Sequence, residues 1–339
     1  MIDLHLHLDG SIDPEDMPRL AELSGAALPS TRQEELRSLL SVEPDCRNLG
    51  EYLEKFQLPL RVLQTGESLE YAVYRLLERL SGQGLCHGEI RFAPQLHLEK
   101  GMSQEQAVSA AAAGLLRGIR DFGLSAGLIL CCMRGEGNRA ENMETVAVAK
   151  RFLGRGVCAL DLAGNEAAYP TYRFADVFRR AGERGIPLVI HAGEAAGAES
   201  VRTALELGAV RIGHGIHAAS DAELMEILWD RGIFLELCYS SNLQTRAVGL
   251  PEEYPLKRFL DRGIRVTVNT DNVTVSGTSL KREYLLLQER FGLSGEALKG
   301  LAINAAEAAF VTEGQRAALK ERIDREFPLW LSSGEPKGK

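Results

Sequence analysis

At 339 residues, 45% of them apolar and 25% charged, the chain has the makeup of a globular protein with room for one α/β barrel or two ordinary domains. Its 39 basic and 47 acidic residues give a net charge of −8, with no Lys/Arg-rich run and no apolar run of membrane-spanning length. Nucleic acid and membrane surfaces are thereby set aside as partners.

The chain opens without a signal peptide, directly on a stretch in which Asp3, His5, His7 and Asp9 alternate with Ile2, Leu4, Leu6 and Leu8. A period of two is that of a β-strand, so His5 and His7 project from one face near the strand's end, with Gly10 marking the turn. Two neutral imidazoles on one face make half of a metal site, and a strand whose polar face meets solvent is the plainer alternative.

Residues 14–84 read as mostly helical, with a polar loop at 41–46. Within them Leu49, Tyr52, Leu53, Phe56 and Leu60 recur at three- and four-residue spacing, which predicts one amphipathic helix over 48–63 whose stripe packs on a core. Apolar, β-like runs then follow at 85–93, 125–133, 156–162, 186–192, 210–213, 233–238 and 264–270. Helical patterns separate them at 103–121, 139–153, 172–184, 199–207, 221–230 and 256–261, and three more, at 279–291, 294–309 and 313–327, follow the last strand.

Eight strands alternating with helices predict an α/β fold of the (β/α)8 TIM-barrel type, with extra helices after the first strand and at the C-terminus. The expected layout is a single domain over 1–331 and a polar, Gly/Pro-containing tail over 332–339. The six cysteines, at 46, 86, 131, 132, 158 and 238, form no CxxC pair, and five lie in apolar runs. They read as reduced thiols of a cytoplasmic protein.

A parallel barrel carries its active site at the C-terminal ends of its strands. Those ends hold His5, His7 and Asp9; then Asp161 through Glu166; then His191 and Glu194; then His214; then Asn269, Asp271 and Asn272. Four of the seven histidines thus fall where the fold gathers side chains at one mouth. His87 and His97 read as structural or surface residues, and His217 as a support of the site.

His5, His7, His191 and Asp271 form a metal set whose nitrogen and oxygen donors suit zinc, although other first-row metals accept the same donors. Such an ion lowers the pKa of water from 15.7 towards ~7. Glu194 is then a proton carrier, and His214 orients the attacking water or takes up its proton, a task Asp271 can share. Together these groups describe hydrolytic attack on a polarised carbon. Binuclear barrel hydrolases commonly place a bridging lysine at the end of the fourth strand, where this chain has Leu162-Ala163-Gly164-Asn165. A mononuclear site, and with it deamination over amide or phosphotriester cleavage, is the expectation.

These motifs resemble those of the adenosine deaminase family of the metal-dependent amidohydrolases, from residue 2 to about residue 310. The resemblance rests on His5-Leu-His7-Leu-Asp9-Gly10, Asp161-Leu-Ala-Gly164-Asn-Glu166, His191-Ala-Gly-Glu194, Arg211-Ile-Gly-His214-Gly and Asn269-Thr-Asp271. It implies one zinc ion on His5, His7, His191 and Asp271. It also implies that Glu194 protonates purine N1, that His214 and Asp271 position the attacking oxygen, and that the Gly164 N–H meets N3. His7 and Asp9 would meet the substrate, Asp9 at a ribose hydroxyl, and Leu49, Tyr52, Leu53 and Phe56 would form an apolar lid.

The implied activity is hydrolysis of adenosine or 2′-deoxyadenosine to the inosine and ammonia, a step of purine salvage, by a monomer or homodimer. Adenine, an N6-substituted adenine or a modified adenosine are alternative substrates, and a catalytically weak nucleoside-binding protein is the alternative from another class. Two departures stand out. Asn272 occupies the place of the family's second Asp, which is thought to meet purine N7; an amide NH2 can donate there without being protonated. Tyr239 stands where a proline is usual, which is expected to reshape the pocket rim.

Overall fold

The computed structural model describes residues 1–43 and 46–333. Its strands are β1 (Ile2–His7), β2 (His87–Phe92), β3 (Ser125–Met133), β4 (Val157–Ala163), β5 (Val189–Ala192), β6 (Arg211–His214), β7 (Phe234–Leu237) and β8 (Arg265–Val268). All eight coincide with the apolar runs read from the sequence. They pair in parallel, in chain order, as two four-stranded sheets, β1 to β4 and β5 to β8. Single parallel bridges, Leu160 with Leu188 and Leu6 with Asp271, link the sheets at both seams of a (β/α)8 barrel.

Among the described residues, five α-helices separate β1 from β2: α1 (Met17–Ser24), α2 (Gln33–Leu40), α3 (Leu49–Glu54), α4 (Gln57–Val62) and α5 (Gly66–Gly82). Then come α6 (Gln104–Phe122), α7 (Arg139–Phe152), α8 (Ala175–Glu183), α9 (Ala198–Glu206), α10 (Ala222–Asp230), α11 (Tyr239–Gln244) and α12 (Leu256–Asp261). The chain ends on α13 (Leu280–Phe291), α14 (Gly295–Ala308) and α15 (Glu313–Ser332). Reciprocal side-chain caps start the long ones, Ser103 with Gln106 at α6 and Thr312 with Gln315 at α15. No helix among the described residues is long and apolar enough to cross a membrane.

The single helix expected over 48–63 is two, α3 and α4, broken at residues 55–56. Pro59 explains the break. In a continuous helix its ring would clash with the carbonyl of Lys55, whereas in the first turn of a new helix its missing N–H costs nothing. The polar tail expected from residue 332 differs too: Ser332 ends α15, and residues 334–339 lie outside the described residues. All six cysteines are free, and Cys158 alone is only partly buried.

Alternation along β1 does what its period requires. Ile2, Leu4 and Leu6 join the main apolar core, while Asp3 and His5 are fully buried on the opposite face, inside the barrel. That interior is charged for much of its depth. Glu89, Arg91, Asp161, Arg211 and Glu236 all lie within it at 0–1% exposure, where barrels ordinarily place branched aliphatic side chains.

Candidate metal and active site

The seam between β1 and the end of β8 brings the two ends of the chain together. The His7 N–H donates to the Asp271 carbonyl at 2.7 Å, and the Asp271 N–H to the His5 carbonyl at 2.8 Å. Asp271 has a φ of 61° and His214 a φ of 60°, left-handed conformations that non-glycine residues adopt at a cost and that gather at functional sites.

Four donor groups converge there. Nε2 of His7 lies 3.2 Å from Nε2 of His191, and Asp271 Oδ1 lies 3.4 Å from Nε2 of both His5 and His7. One ligand atom from each of His5, His7, His191 and Asp271 falls within 4.8 Å of every other. Gly213 makes this possible, because a Cβ there would stand 3.1 Å from His5 Cε1 and 3.3 Å from His191 Cγ.

These residues fit a bound cation. His5 Nδ1 lies 2.8 Å from Glu236 Oε2, and His191 Nδ1 lies 2.8 Å from Asp161 Oδ2. A proton on each Nδ1, favoured by the neighbouring carboxylate, leaves each Nε2 a lone pair for the common centre, although the His191 Nδ1 contact is close without being aligned as a hydrogen bond. The buried His5 Nε2 has no hydrogen-bond partner. Lone pairs facing one another beside a carboxylate repel unless a cation sits among them. Charge points the same way: Glu89, Asp161, Glu236 and Asp271 oppose Arg91 and Arg211, which leaves two negative charges for a dication. Asp3, pushed up to about 7 by burial, adds partial negative charge to that balance near neutrality. A second cluster, His214, Cys238 and Asp271, also converges, but burial and nearby carboxylates raise the Cys238 thiol and keep it protonated.

A cavity of about 310 Å³ opens above this centre. Its walls include His7, Asp9, Gly164, His191, Glu194, His214, Asp271 and Asn272, and on the helical side Leu49, Tyr52, Leu53 and Phe56. Of the residues assigned from the sequence to metal, catalysis or substrate, His5 is the one absent from that wall; it lies beneath it, fully buried. Tyr52 is turned differently from an apolar lid residue: its hydroxyl meets Ser276 Oγ at 2.6 Å and so fastens α3 to the loop after β8. Tyr239 does not reach the rim. It stacks edge-on against Tyr254 and Phe291, with centroids 4.9 and 5.9 Å away, because the first turn of α11 points it into the apolar packing.

Glu194 Oε2 lies 3.6 Å from His214 Nε2, and its Oε1 accepts from the Thr245 hydroxyl at 3.2 Å. Burial raises its pKa above the ordinary carboxylate value in spite of His214 and His191. The Asn242 amide, whose oxygen accepts from Tyr254, donates to His214 Nδ1 at 3.0 Å and thereby leaves the ring proton on Nε2. Burial lifts Asp9 to about 6, and its Oδ1 has no partner, nor has the buried Asn272 Oδ1. His87 and His97 are both buried, bonded to Ser125 and to the Leu63 carbonyl. His217 holds the Gly193 carbonyl, one residue before Glu194.

Over residues 1–326 the chain matches the family model described as adenosine deaminase. The chain belongs to the adenosine deaminase family. A relative named adenosine deaminase, from Haemophilus ducreyi, is 48% identical over 332 residues, covering 97% of this chain and 96% of its own. Among solved structures, an adenine deaminase from Arthrobacter aurescens superposes with a TM-score of 0.86 at 29% identity, over 98% of this chain and 99% of that one. A Burkholderia ambifaria amidohydrolase with bound Zn superposes at 0.87 with 24% identity, over 97% and 90%. Family membership brings a metal-dependent hydrolase fold and small purine substrates, and the donor cluster could hold such an ion.

Three contributors escaped the sequence reading: Arg91, Glu236 and the role of Glu166. Each is a charge at an inward strand position or a loop position, and their partners are far along the chain. The signal was a charged residue within an otherwise apolar strand.

Proposed function

We propose that the protein hydrolyses adenosine and 2′-deoxyadenosine to the corresponding inosines and ammonia, with one zinc ion on His5, His7, His191 and Asp271. The observation that carries this reading is the buried, raised Glu194 carboxyl, which shares one cavity with the four donors and His214. Perturbed acid–base groups around such a cavity usually mark catalysis, which disfavours a binding protein without turnover. When bound, the ion supplies a water molecule acidic enough to attack at neutral pH.

The protein's own groups do the rest. Glu194, whose burial raises its pKa and so favours the carboxylic acid, gives its proton to N1, which draws electrons from C6. The His214 Nε2–H hydrogen-bonds the attacking oxygen, and Asp271, held at Oδ2 by the Ser241 hydroxyl at 2.6 Å, accepts that water's proton. Oxygen adds to C6, the proton taken by Asp271 passes to the amino group, which leaves as ammonia as the C6–N bond breaks, and the C6 hydroxyl proton returns to Glu194 as the 6-oxo group forms. The Gly164 N–H takes purine N3 and Asn272 the N7 edge, with His7 and Asp9 towards the ribose.

The unpartnered Asp9 oxygen and the apolar wall of Leu49, Leu53 and Phe56 favour a nucleoside over a free base. Adenine, N6-substituted adenines and modified adenosines remain the rival substrates, since the Arthrobacter structure is that of an adenine deaminase. The reading places the protein in the cytoplasm as a monomer or homodimer, in line with its free thiols and net charge of −8. Amine release, as ammonia from adenosine, 2′-deoxyadenosine and adenine and as methylamine from N6-methyladenosine, with and without chelator, tests it. Chelator-sensitive release, fastest from adenosine and 2′-deoxyadenosine, is expected. Release that survives complete metal removal, or from adenine alone, would refute it.

A further inference from the structure

Arg91 projects from β2 into the barrel and has no exposed surface. One arm of its guanidinium donates to Asp161 Oδ2 at 2.8 Å, and the other to Glu236 Oε2 at 2.9 Å and to the Leu4 carbonyl at 2.6 Å. The two carboxylate oxygens are the same ones that face the proposed ligands: Asp161 Oδ2 lies 2.8 Å from His191 Nδ1, and Glu236 Oε2 lies 2.8 Å from His5 Nδ1. Leu4 is the residue before His5, so the third bond ties the same cation to the strand that carries His5 and His7.

We infer that Arg91 is a positioning residue of the metal centre, a single planar cation that sets the two carboxylates orienting His5 and His191. The inference rests on the reading of those histidines as metal ligands. The two carboxylates are held by N–H donors on two rigidly spaced arms, a fixed planar geometry that a guanidinium has and a flexible ammonium lacks. The two arms are not equally dependent on it. Glu236 keeps a second cation when Arg91 is gone, since its Oε1 lies 2.7 Å from Arg211 Nε. Asp161 keeps the N–H groups of Leu162 at 2.7 Å and His191 at 3.2 Å, a weak thiol donor in Cys131 at 3.9 Å and the His191 ring that it orients, none of them a second guanidinium. Loss of Arg91 therefore loosens the His191 side first.

A residue that merely balanced buried charge would change stability and leave metal affinity alone, so the test reads the metal. Affinity is measured by chelator competition on the purified full chain loaded with Zn2+, and ligand geometry by the visible absorption of the Co2+-substituted protein. Arg91→Lys, which keeps the charge, is expected to weaken metal binding by about 10–100-fold and to shift the Co2+ spectrum. Removing a buried cation outright can prevent folding, so a charge-balanced comparison accompanies it: Arg91→Met/Glu236→Gln against Glu236→Gln alone. The double variant is expected to bind about tenfold more weakly than the single, because only in the double is Asp161 released. Equal affinities in that pair, or an Arg91→Lys protein with wild-type affinity and spectrum, would overturn the inference. A wild-type protein that binds no metal would instead overturn the ligand assignment beneath it.

Discussion

Glu166 holds the loop that carries Glu194: its Oε2 accepts the Glu194 N–H at 3.0 Å. The same carboxylate accepts the N–H groups of Gly193 at 2.7 Å, Ala195 at 2.8 Å and Ala196 at 3.0 Å, so four successive amides close around it. Glutamine at this position has one accepting oxygen, and its NH2 would face amide donors. Glu166→Gln is therefore expected to unpair buried amides at about 1–3 kcal/mol each and to let Glu194 drift. Turnover should fall by about tenfold or more with metal content unchanged. Parallel kinetics and metal analysis check this, and unaltered kcat would show that the loop holds its shape without the carboxylate.

Acid should reveal the same contact through stability. Burial alone would raise the Glu166 pKa, but Arg134, Ser200 and the loop amides prevail and hold it below the ordinary glutamate value. A group whose folded pKa is depressed contributes stability that is present above its unfolded value and lost as pH falls through the folded one. The Tm gap between wild type and Glu166→Gln should thus be wide near neutrality and close as the pH drops below about 4. Thermal melts across that range decide it; a gap independent of pH would mean that the charge of Glu166 is not what stabilises the loop.

Glu194→Gln separates proton donation from metal binding. The residue lies outside the donor cluster, and its carboxyl meets Thr245 and His214. Metal content and melting temperature should stay near wild type while kcat falls by about 10²–10⁴, the usual worth of a positioned general acid. A variant with full activity would remove Glu194 from the chemistry.

The barrel and the donor cluster at its rim were legible in the sequence for a common reason. Strand runs announce themselves by composition, and in a parallel barrel the polar residues that close a run fall at one rim, so His5, His7, His191, His214 and Asp271 could be gathered without coordinates. The charged layer beneath them was hidden because alternation cannot tell a side chain facing solvent from one facing a charged barrel interior. Arg91 and Glu236 make sense only as partners, and 145 positions separate them. The break between α3 and α4 was legible in Pro59 and was overridden by the apolar spacing around it. Tyr239 shows the opposite error: a family departure near the site had no bearing on the cavity, because one helical turn aims its ring elsewhere.

Gly213 offers a geometric test of the donor cluster. A methyl group there would press on His5 Cε1 at 3.1 Å and on His191 Cγ at 3.3 Å, contacts tighter than ordinary packing allows. Neither ring can retreat freely, since Glu236 and Asp161 hold their far sides. Gly213→Ala should therefore fold but bind metal about tenfold or more weakly, with excess metal restoring part of the activity. Wild-type affinity in a well-folded Gly213→Ala protein would show that the rings have slack the structure does not suggest.

Asn272→Asp addresses the choice of base. Asn272 packs so closely on Gly10 that a Cβ at residue 10 would overlap its Oδ1, which fixes the amide at the cavity wall. Its NH2 can donate to a purine acceptor at any pH, whereas an aspartate beside Asp271 and Asp9 must first take up a proton to do so. The substitution should therefore alter relative kcat/KM values among adenosine, 7-deazaadenosine and N6-substituted adenosines more than it alters kcat for the best of them. It should also make the preference for a nitrogen at position 7 depend on pH, fading as the pH rises and the new carboxyl ionises. If the ranking of substrates and its pH dependence both match wild type, residue 272 does not read the purine edge, and selectivity must come from Gly164 and Glu194 instead.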